Sequence, residues 1–228
     1  MPREMFEREL QRLQDETLAL GSLVENALSE SVEVLKRRDL AGSQRLVAQD
    51  RAINEQRFAI ESDALVLIAT QQPMAGDLRV IAAILEIVAE LERIGDYAKG
   101  IAKISLMIGD KPLMKPLVDV PYMAQKARTM LHRALDAFVR RDVELARAIP
   151  TEDDEVDALY EQVYRELVSY IMSAPSTIEQ ANYLLWVAHN LERAADRVTN
   201  ICERVIFTVT GELVEIGAKE TTYAKRDL

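Results

Sequence analysis

The sequence predicts an all-α protein made of two tandem three-helix bundles that arose by internal duplication. Three observations predict this fold class. Short motifs recur in the same order at nearly constant spacing, and apolar residues step by three or four positions through long segments. Aromatic residues make up only 5% of the 228 residues, with 8 Gly and 7 Pro. This composition favours helical bundles over β-sandwiches.

Internal repetition is the strongest of these observations. The Arg-Arg-Asp segment at 37–39 recurs at 140–142, an offset of 103 residues. The segment 91–96 recurs at 191–196, where the offset is 100. The second copy therefore lacks three residues, which we place at the turn before its last helix. Because the matched residues include Asp and Arg, a general likeness among helical sequences does not account for them.

The first half contains three predicted helices. The first covers residues 2–38, where apolar residues recur at helical spacing. Asp39 caps a second helix that continues to residue 72, and Pro73 ends it. A third helix covers residues 77–108, after which glycine and proline predict a turn.

The second half repeats this order, with predicted helices over residues 121–141, 142–173 and 177–210. Pro150 is a candidate interruption of the middle helix, and Pro175 forces the turn before the last one. Ser176 or Thr177 is expected to cap that last helix. The predicted organisation is a first repeat at residues 1–110, a linker at 111–120, a second repeat at 121–212 and a polar tail at 213–228 that frays.

Composition and charge exclude several classes of function. The formal net charge is −10, which disfavours binding to nucleic acid or to anionic lipid. The single cysteine, Cys202, rules out an internal disulfide and a cysteine-based zinc site. No apolar run approaches the length of a spanning helix, so we expect a soluble, cytoplasmic protein without membrane insertion. Since no phosphate-binding loop or nucleophile motif is present, we expect no enzymatic activity.

Acidic and amide side chains are paired at four-residue spacing on two helices of each predicted repeat. Residues four apart lie on one face of a helix. If the second and third helices of a repeat are antiparallel, a rise of about 1.5 Å per residue places both pairs at similar heights. The candidate donors are Asp50, Asn54, Glu92 and Asp96 in the first repeat, and Asp153, Asp157, Glu192, Asp196 and Asn200 in the second.

These oxygen donors suit hard cations, so each repeat is a candidate metal site. The candidate ions are iron, manganese, magnesium and calcium, whereas zinc is disfavoured without cysteine or a well-placed histidine. His189 precedes Glu192 by three residues, the reverse of the Glu-x-x-His order in di-iron bundles. The alternative is ordinary salt bridging, because Arg93 and Arg193 adjoin the acids.

The duplicated unit with these motifs resembles the PhoU family over about residues 3–212. The segments 91–96 (Leu-Glu-Arg-Ile-Gly-Asp) and 191–196 (Leu-Glu-Arg-Ala-Ala-Asp) are similar to the acidic signature of that family. The resemblance implies a cytoplasmic, all-helical accessory regulator of phosphate uptake that is not an enzyme. It also implies multinuclear metal clusters, including iron, held by the paired acidic motifs.

The resemblance further implies protein partners. These are the ATPase subunits of a phosphate ABC transporter, the sensor histidine kinase of the phosphate regulon and a second copy of the chain in a homodimer. Such a regulator keeps the regulon off when phosphate is plentiful. A metal-independent helical adaptor and a metal-dependent phosphohydrolase are the alternative functions, although the sequence supplies no base or open coordination position for the latter.

Two departures distinguish the repeats. Gly100 stands where the second repeat has Asn200, and Asn54 replaces the carboxylate found at Asp157. Because an amide or a missing side chain supplies less negative charge to a cation, the second repeat is predicted to hold cations more tightly.

Overall fold

The computed structural model describes residues 2–216, which are almost entirely helical. Seven α-helices follow one another in this part of the chain: α1 (Pro2–Arg37), α2 (Leu40–Gln71), α3 (Ala75–Ile108), α4 (Asp119–Arg140), α5 (Val143–Ala148), α6 (Asp153–Ser173) and α7 (Ile178–Thr210). Two 3-10 turns, Ile149–Glu152 and Pro175–Thr177, precede α6 and α7. No strand occurs among these residues, so the all-α prediction is confirmed. None of the helices between residues 2 and 216 combines the length and the apolar character needed to cross a membrane.

The turn between the first two helices is built in the same way in both halves. Arg38 and Arg141 adopt left-handed backbone conformations, with φ angles of 57° and 54°. The following Asp39 and Asp142 each donate a backbone N–H to a carbonyl five residues back, at 2.9 Å, which is the Schellman arrangement. Each aspartate side chain then accepts a hydrogen bond, at 2.8 and 3.0 Å, from the backbone N–H three residues further on. The matching geometry supports the duplication.

The two aspartate caps are expected to contribute similar stability. Asp39→Ala and Asp142→Ala should each lower the free energy of unfolding by about 1 kcal/mol, because each leaves a backbone donor at a helix start without its partner. Asp39→Asn keeps an acceptor at the cap and is the control expected to change stability little. Urea unfolding followed by circular dichroism measures all three variants. A loss at only one aspartate would contradict the equivalence of the turns.

The second helix of the repeat is continuous in the first half and interrupted in the second. Pro150 stands where the first half has Val47, and proline cannot donate a backbone hydrogen bond. The chain leaves α5 just before Pro150 and passes through a 3-10 turn into α6, as predicted. The interruption places Asp153, Asp154 and Glu155 in the first turn of α6. The helix dipole favours negative charge at that position.

The predicted side-chain cap of the last helix is wrong. Thr177 occupies the cap position of α7, but its side chain makes no capping hydrogen bond. Its hydroxyl instead donates to the carbonyl of Ala174 at 2.7 Å. The reason is that Pro175 starts a 3-10 turn, which holds Thr177 in a helical conformation rather than the extended one that side-chain caps require.

The segments between and after the helices differ slightly from expectation. Residues 119–120 of the predicted linker already belong to α4. The linker is held against the second repeat, because Lys115 is only 8% exposed and pairs with Glu166 of α6. Residues 217–228 of the predicted tail lie outside the described residues.

The two bundles pack together along α3 and α7, which form the most extensive helix–helix contact among the described residues. These helices run antiparallel, since Glu86 pairs with Arg204 at 2.8 Å toward one end and the guanidinium of Arg193 lies 6.0 Å from the Tyr97 ring toward the other. Helices α1 and α4 pack across the same junction. Buried apolar residues from both halves form one continuous core. The repeats therefore stabilise each other.

Candidate metal centre

In the first repeat, α2 and α3 bring the predicted donors together. Asp50 and Asn54 lie on α2, whereas Glu92 and Asp96 lie on α3. The ammonium of Lys99, on α3, hydrogen-bonds Asp50 Oδ2 at 2.7 Å and Asp96 Oδ1 at 3.1 Å. The amide of Asn54 also donates to Asp50 Oδ2, at 3.2 Å. Because one side chain bridges the two helices here, both pairs lie at similar heights, as predicted.

Two cationic side chains of the protein lie among the carboxylates of the first cluster. Besides the two contacts of Lys99, Arg57 Nη1 lies 3.7 Å from Glu92 Oε2, although Arg57 pairs more closely with Glu61, at 2.8 Å. The hydrogen bond to Asp50 raises the pKa of Lys99, which keeps the ammonium charged at neutral pH. Burial raises the pKa of Glu92, and the charge of Asp96 adds to the increase. Three carboxylates in this repeat thus face two cations of the chain itself.

In the second repeat, α6 and α7 bring together four carboxylates. Asp153 and Asp157 lie on α6, and Glu192 and Asp196 lie on α7, all partly buried. Burial, followed by the charges of the other three carboxylates, raises the pKa of Asp153 to about 7. Burial is also the main cause of the raised pKa values of Glu192 and Asp196. Negative charges raise the pKa of a neighbouring carboxyl group in this way only when they lie close to it.

The positively charged side chains nearest the second cluster lie on α7. Arg193 Nε lies 3.8 Å from Asp196 Oδ2, a long ion pair. His189 Nδ1 lies 3.2 Å from Glu192 Oε2, and its ring is charged only when protonated. Arg197 also lines the adjoining cleft, and the charges of Arg193 and Arg197 lower the pKa of Asp196 against the effect of burial.

Asn200, one turn beyond Asp196, connects the site to the other repeat. Its amide nitrogen donates to Glu90 Oε2 of α3 at 3.3 Å. Arg197 Nη1 lies 3.6 Å from the same oxygen. Since the nitrogen is used in this way, the side-chain carbonyl oxygen is the atom of Asn200 that can bind a cation.

An open cleft of about 750 Å³ adjoins the second cluster. Four of the predicted donors line it, namely Asp153, Asp157, Asp196 and Asn200. Asp154, Thr199 and the cationic Arg197, which sequence reasoning did not identify, also line it. Asp153 Oδ1 and Thr199 Oγ1 are buried without a hydrogen-bond partner among residues 2–216, as is Asp50 Oδ1 in the first repeat. Buried oxygens in that condition are costly unless a ligand satisfies them.

The oxygen donors of the second repeat suit a hard cation, but their side chains do not converge on a single position. Within residues 2–216, no three His, Cys, Asp or Glu side chains stand close enough to hold an ion as they are. The carboxylates are only partly buried, so rotation about their side-chain bonds can bring oxygens together. In the first repeat, Lys99 already stands between the acids. Oxygens of Asp50 and Asp96 that could bind a metal ion therefore already contact the ammonium of Lys99.

The two cations of the first repeat were missed by sequence reasoning. Lys99 follows Asp96 by three residues and therefore shares its helix face. Matching the repeats position by position would have found both cations, because Thr199 stands at the position of Lys99 and Tyr160 at that of Arg57.

Comparison with known proteins agrees with the duplicated architecture. The model of the PhoU domain family matches residues 17–105 and, a second time, residues 120–205. The chain belongs to the PhoU family. The resemblance inferred from the acidic motifs is therefore confirmed.

Individual PhoU proteins are similar over nearly the whole chain. The phosphate-specific transport system accessory protein PhoU homolog of Clostridium acetobutylicum is 34% identical, over 95% of this chain and 100% of its own length. The corresponding PhoU of Escherichia coli is 34% identical, over 91% of this chain and 86% of its own. The crystal structure of the phosphate transport system regulatory protein PhoU from Streptococcus pneumoniae has a TM-score of 0.86 at 32% identity, covering 92% of this chain and 100% of that one.

Proposed function

We propose that this chain is an accessory protein of a phosphate transport system that restrains phosphate uptake by binding other proteins. The observation that carries the proposal is the PhoU family match in both repeats, together with relatives named for the phosphate-specific transport system. A role without catalysis agrees with the state of Cys202, which is buried with the pKa of its thiol raised to about 12 by that burial. Such a thiol stays protonated and does not act as a nucleophile.

The proposed partners are the ATPase subunit of the transporter and the sensor histidine kinase of the phosphate regulon. An exposed apolar stripe on α2 supports protein binding: Phe58, Leu65 and Val66 are each 58% exposed. The matching positions of α6 hold Glu, Val and Ser, so the stripe is a feature of the first repeat. Exposed apolar surface of this kind marks protein contacts. We assign it to the transporter ATPase, because the relatives are named for that transport system.

The cleft of the second repeat is proposed to bind divalent cations or iron as part of this regulation. A cation there attracts Asp153 and Asp157 of α6 and Glu192 and Asp196 of α7, and so links the two helices. Because Asn200 joins α7 to α3, a change at the cleft reaches the contact between the repeats. A signal to a partner then takes the form of a difference in partner affinity between the metal-bound and metal-depleted proteins. Cytoplasmic location and a homodimer stay predictions.

Deleting the gene in its host is expected to raise expression of phosphate-uptake genes during growth in abundant phosphate. The physical reason is that a repressing contact with the transporter and the kinase is lost. Reporter expression and phosphate uptake measure this effect, and the tagged protein should co-purify with the ATPase or the kinase. Unchanged uptake and expression, with neither partner recovered, would instead favour a helical adaptor of another system.

The α2 stripe gives the same experiment a matched pair of variants. Phe58→Ser with Leu65→Ser is expected to abolish co-purification with the ATPase, because both side chains are exposed and contribute little to the core. Tyr164→Ser with Met172→Ser removes similar exposed apolar surface from α6 and should leave co-purification intact. Equal recovery of the ATPase by both double variants would rule out the α2 assignment.

A further inference from the structure

Three arginine side chains meet where the two repeats join. Arg93 belongs to α3, whereas Arg193 and Arg197 belong to α7 and lie one turn apart. Together with Asp96 and Tyr97 they line an open cleft of about 390 Å³. This arginine cleft therefore takes residues from both repeats. Arg197 also lines the acidic cleft of the second repeat, so the two clefts are neighbours.

Two of the arginines carry a buried nitrogen that makes no hydrogen bond. These are the Nε of Arg193 and the Nε of Arg197, considered against all residues from 2 to 216. A buried donor without an acceptor costs free energy. Both guanidinium groups can therefore turn towards a ligand in the arginine cleft without breaking a hydrogen bond at Nε. An acceptor bound there would remove the cost.

Two carboxylates lie beside the guanidinium groups. Glu90 accepts a hydrogen bond from Arg93 Nη1, and its other oxygen lies 3.6 Å from Arg197 Nη1. Asp196 Oδ2 lies 3.8 Å from Arg193 Nε, which is beyond hydrogen-bonding distance. Three guanidinium groups carry about fifteen N–H donors, many more than two carboxylates accept. Donors are thus left over for a ligand.

The other two residues of the arginine cleft are compatible with an anion. Asp96 lines it as a third carboxylate, but its Oδ1 accepts a hydrogen bond from Lys99 Nζ at 3.1 Å. The ammonium offsets the repulsion between Asp96 and an anion. The guanidinium of Arg193 lies 6.0 Å from the centre of the Tyr97 ring, within the range of a cation–π contact. That contact holds Arg193 at the cleft.

We propose that the arginine cleft binds a phosphate dianion and so joins α3 of the first repeat to α7 of the second. The planar fork of a guanidinium matches two oxygens of a phosphate, which is why arginine is common in phosphate sites. The choice of phosphate among oxyanions rests on the function proposed above. The same chemistry recognises inorganic phosphate and the phosphate group of a nucleotide, so the experiment compares both.

The test is equilibrium dialysis of metal-stripped, full-length protein against radiolabelled inorganic phosphate. Stripping is needed because a cation in the acidic cleft would itself attract phosphate. Wild type is expected to bind with a dissociation constant on the order of 1 mM or below, within reach of a few charge-assisted hydrogen bonds. Arg193→Gln with Arg197→Gln is expected to weaken binding by at least about 100-fold, since both arginines donate such bonds.

Arg204→Gln is the matched control. Arg204 lies on the same helix as Arg197, and their side chains are 17% and 19% exposed. It pairs with Glu86 at 2.8 Å and is not among the described residues that line the arginine cleft. The control removes the same charge from α7 and should bind phosphate like wild type.

A single substitution keeps the test decisive if the double variant does not fold. The side chain of Arg93 is 51% exposed, and Glu90 keeps its contacts with Asn200 and Arg197 when Arg93 is replaced. Arg93→Gln is therefore expected to fold and to weaken phosphate binding by about 10-fold. Circular dichroism establishes that each variant is folded.

The outcomes separate this proposal from the proposed function. Phosphate binding that Arg204→Gln keeps and the cleft variants lose supports the site. A nucleoside monophosphate that displaces phosphate and binds more tightly supports it too, and identifies a nucleotide as the ligand. If folded wild type binds neither compound, or if Arg204→Gln weakens binding as much as Arg93→Gln does, the site is overturned. The regulatory role is decided separately, by uptake and gene expression after deletion.

Discussion

Replacing Glu192 and Asp196 together by alanine is expected to lower the metal affinity of the protein by more than about 100-fold. The two side chains are the α7 carboxylates of the second cluster, and even indirect partners of metal ligands contribute about 10- to 100-fold to affinity. Both side chains are only partly buried, so their removal leaves the core intact. Elemental analysis of protein purified without chelators measures the metal, and circular dichroism should show unchanged helix content.

The matched control is Glu92→Ala with Asp96→Ala in the first repeat. This variant is expected to keep its metal, because the ammonium of Lys99 already stands between Asp50 and Asp96 in the cluster from which it removes acids. Without metal, the second-repeat variant should be more stable than wild type, since clustered like charges repel one another when no cation is bound. Unchanged metal content in the second-repeat variant would show that its acids are not ligands.

The individual repeat is largely predictable from sequence because its signals are local. Asp39 caps the second helix as predicted, and Asp142, the predicted first residue of its helix, caps it in the same way. Pro150 predicts an interruption because proline has no backbone N–H, so the helix loses a hydrogen bond at that residue itself. Thr177 shows where such local reasoning fails. Its backbone conformation depends on the neighbouring 3-10 turn, and the side chain follows the backbone.

The contact between repeats was not predictable in the same way. Nothing in the spacing of motifs indicates that α3 packs against α7 or that Glu90 meets Asn200. Those contacts join residues far apart in the chain, and many helix faces of similar apolar character could have met instead. The consequence is a single core shared by both bundles.

The candidate site was predictable in its donors but not in its charge balance. The four-residue spacing and the antiparallel helices place the acids of each repeat together. Tighter cation binding by the second repeat was predicted from Gly100 and Asn54, which concern missing donors. The structure adds one contact that the sequence did not predict, since Lys99 joins Asp50 across two helices. The ranking itself stays a prediction. In the sequence, Lys99 looks like an ordinary surface lysine. Its contact with Asp50 becomes visible only when both helices are in place.

Without metal, the protein is expected to lose stability as the pH rises from about 5 to 7.5. Asp153 has a pKa of about 7 in the folded protein, against an ordinary value of 3.8. Between these values the folded state holds a proton that the unfolded state has released. By linkage, the stabilisation is complete below the unfolded pKa and is lost as pH rises through the folded one. Glu192 and Asp196, whose pKa values are also raised, act in the same direction.

The loss across this interval is expected to be about 1 to 2 kcal/mol, less than the full shift implies, because water still screens the partly buried carboxyl of Asp153. Urea unfolding of chelator-treated protein at pH 5 and pH 7.5 measures it. Saturating Mn²⁺ should reverse the trend, since metal binds the deprotonated carboxylates and stabilises the folded state more as pH rises. Asp153→Asn, which cannot ionise, should flatten the profile of the metal-stripped protein. If the pH profile of the Asp153→Asn variant is as steep as that of wild type, Asp153 does not hold the proton.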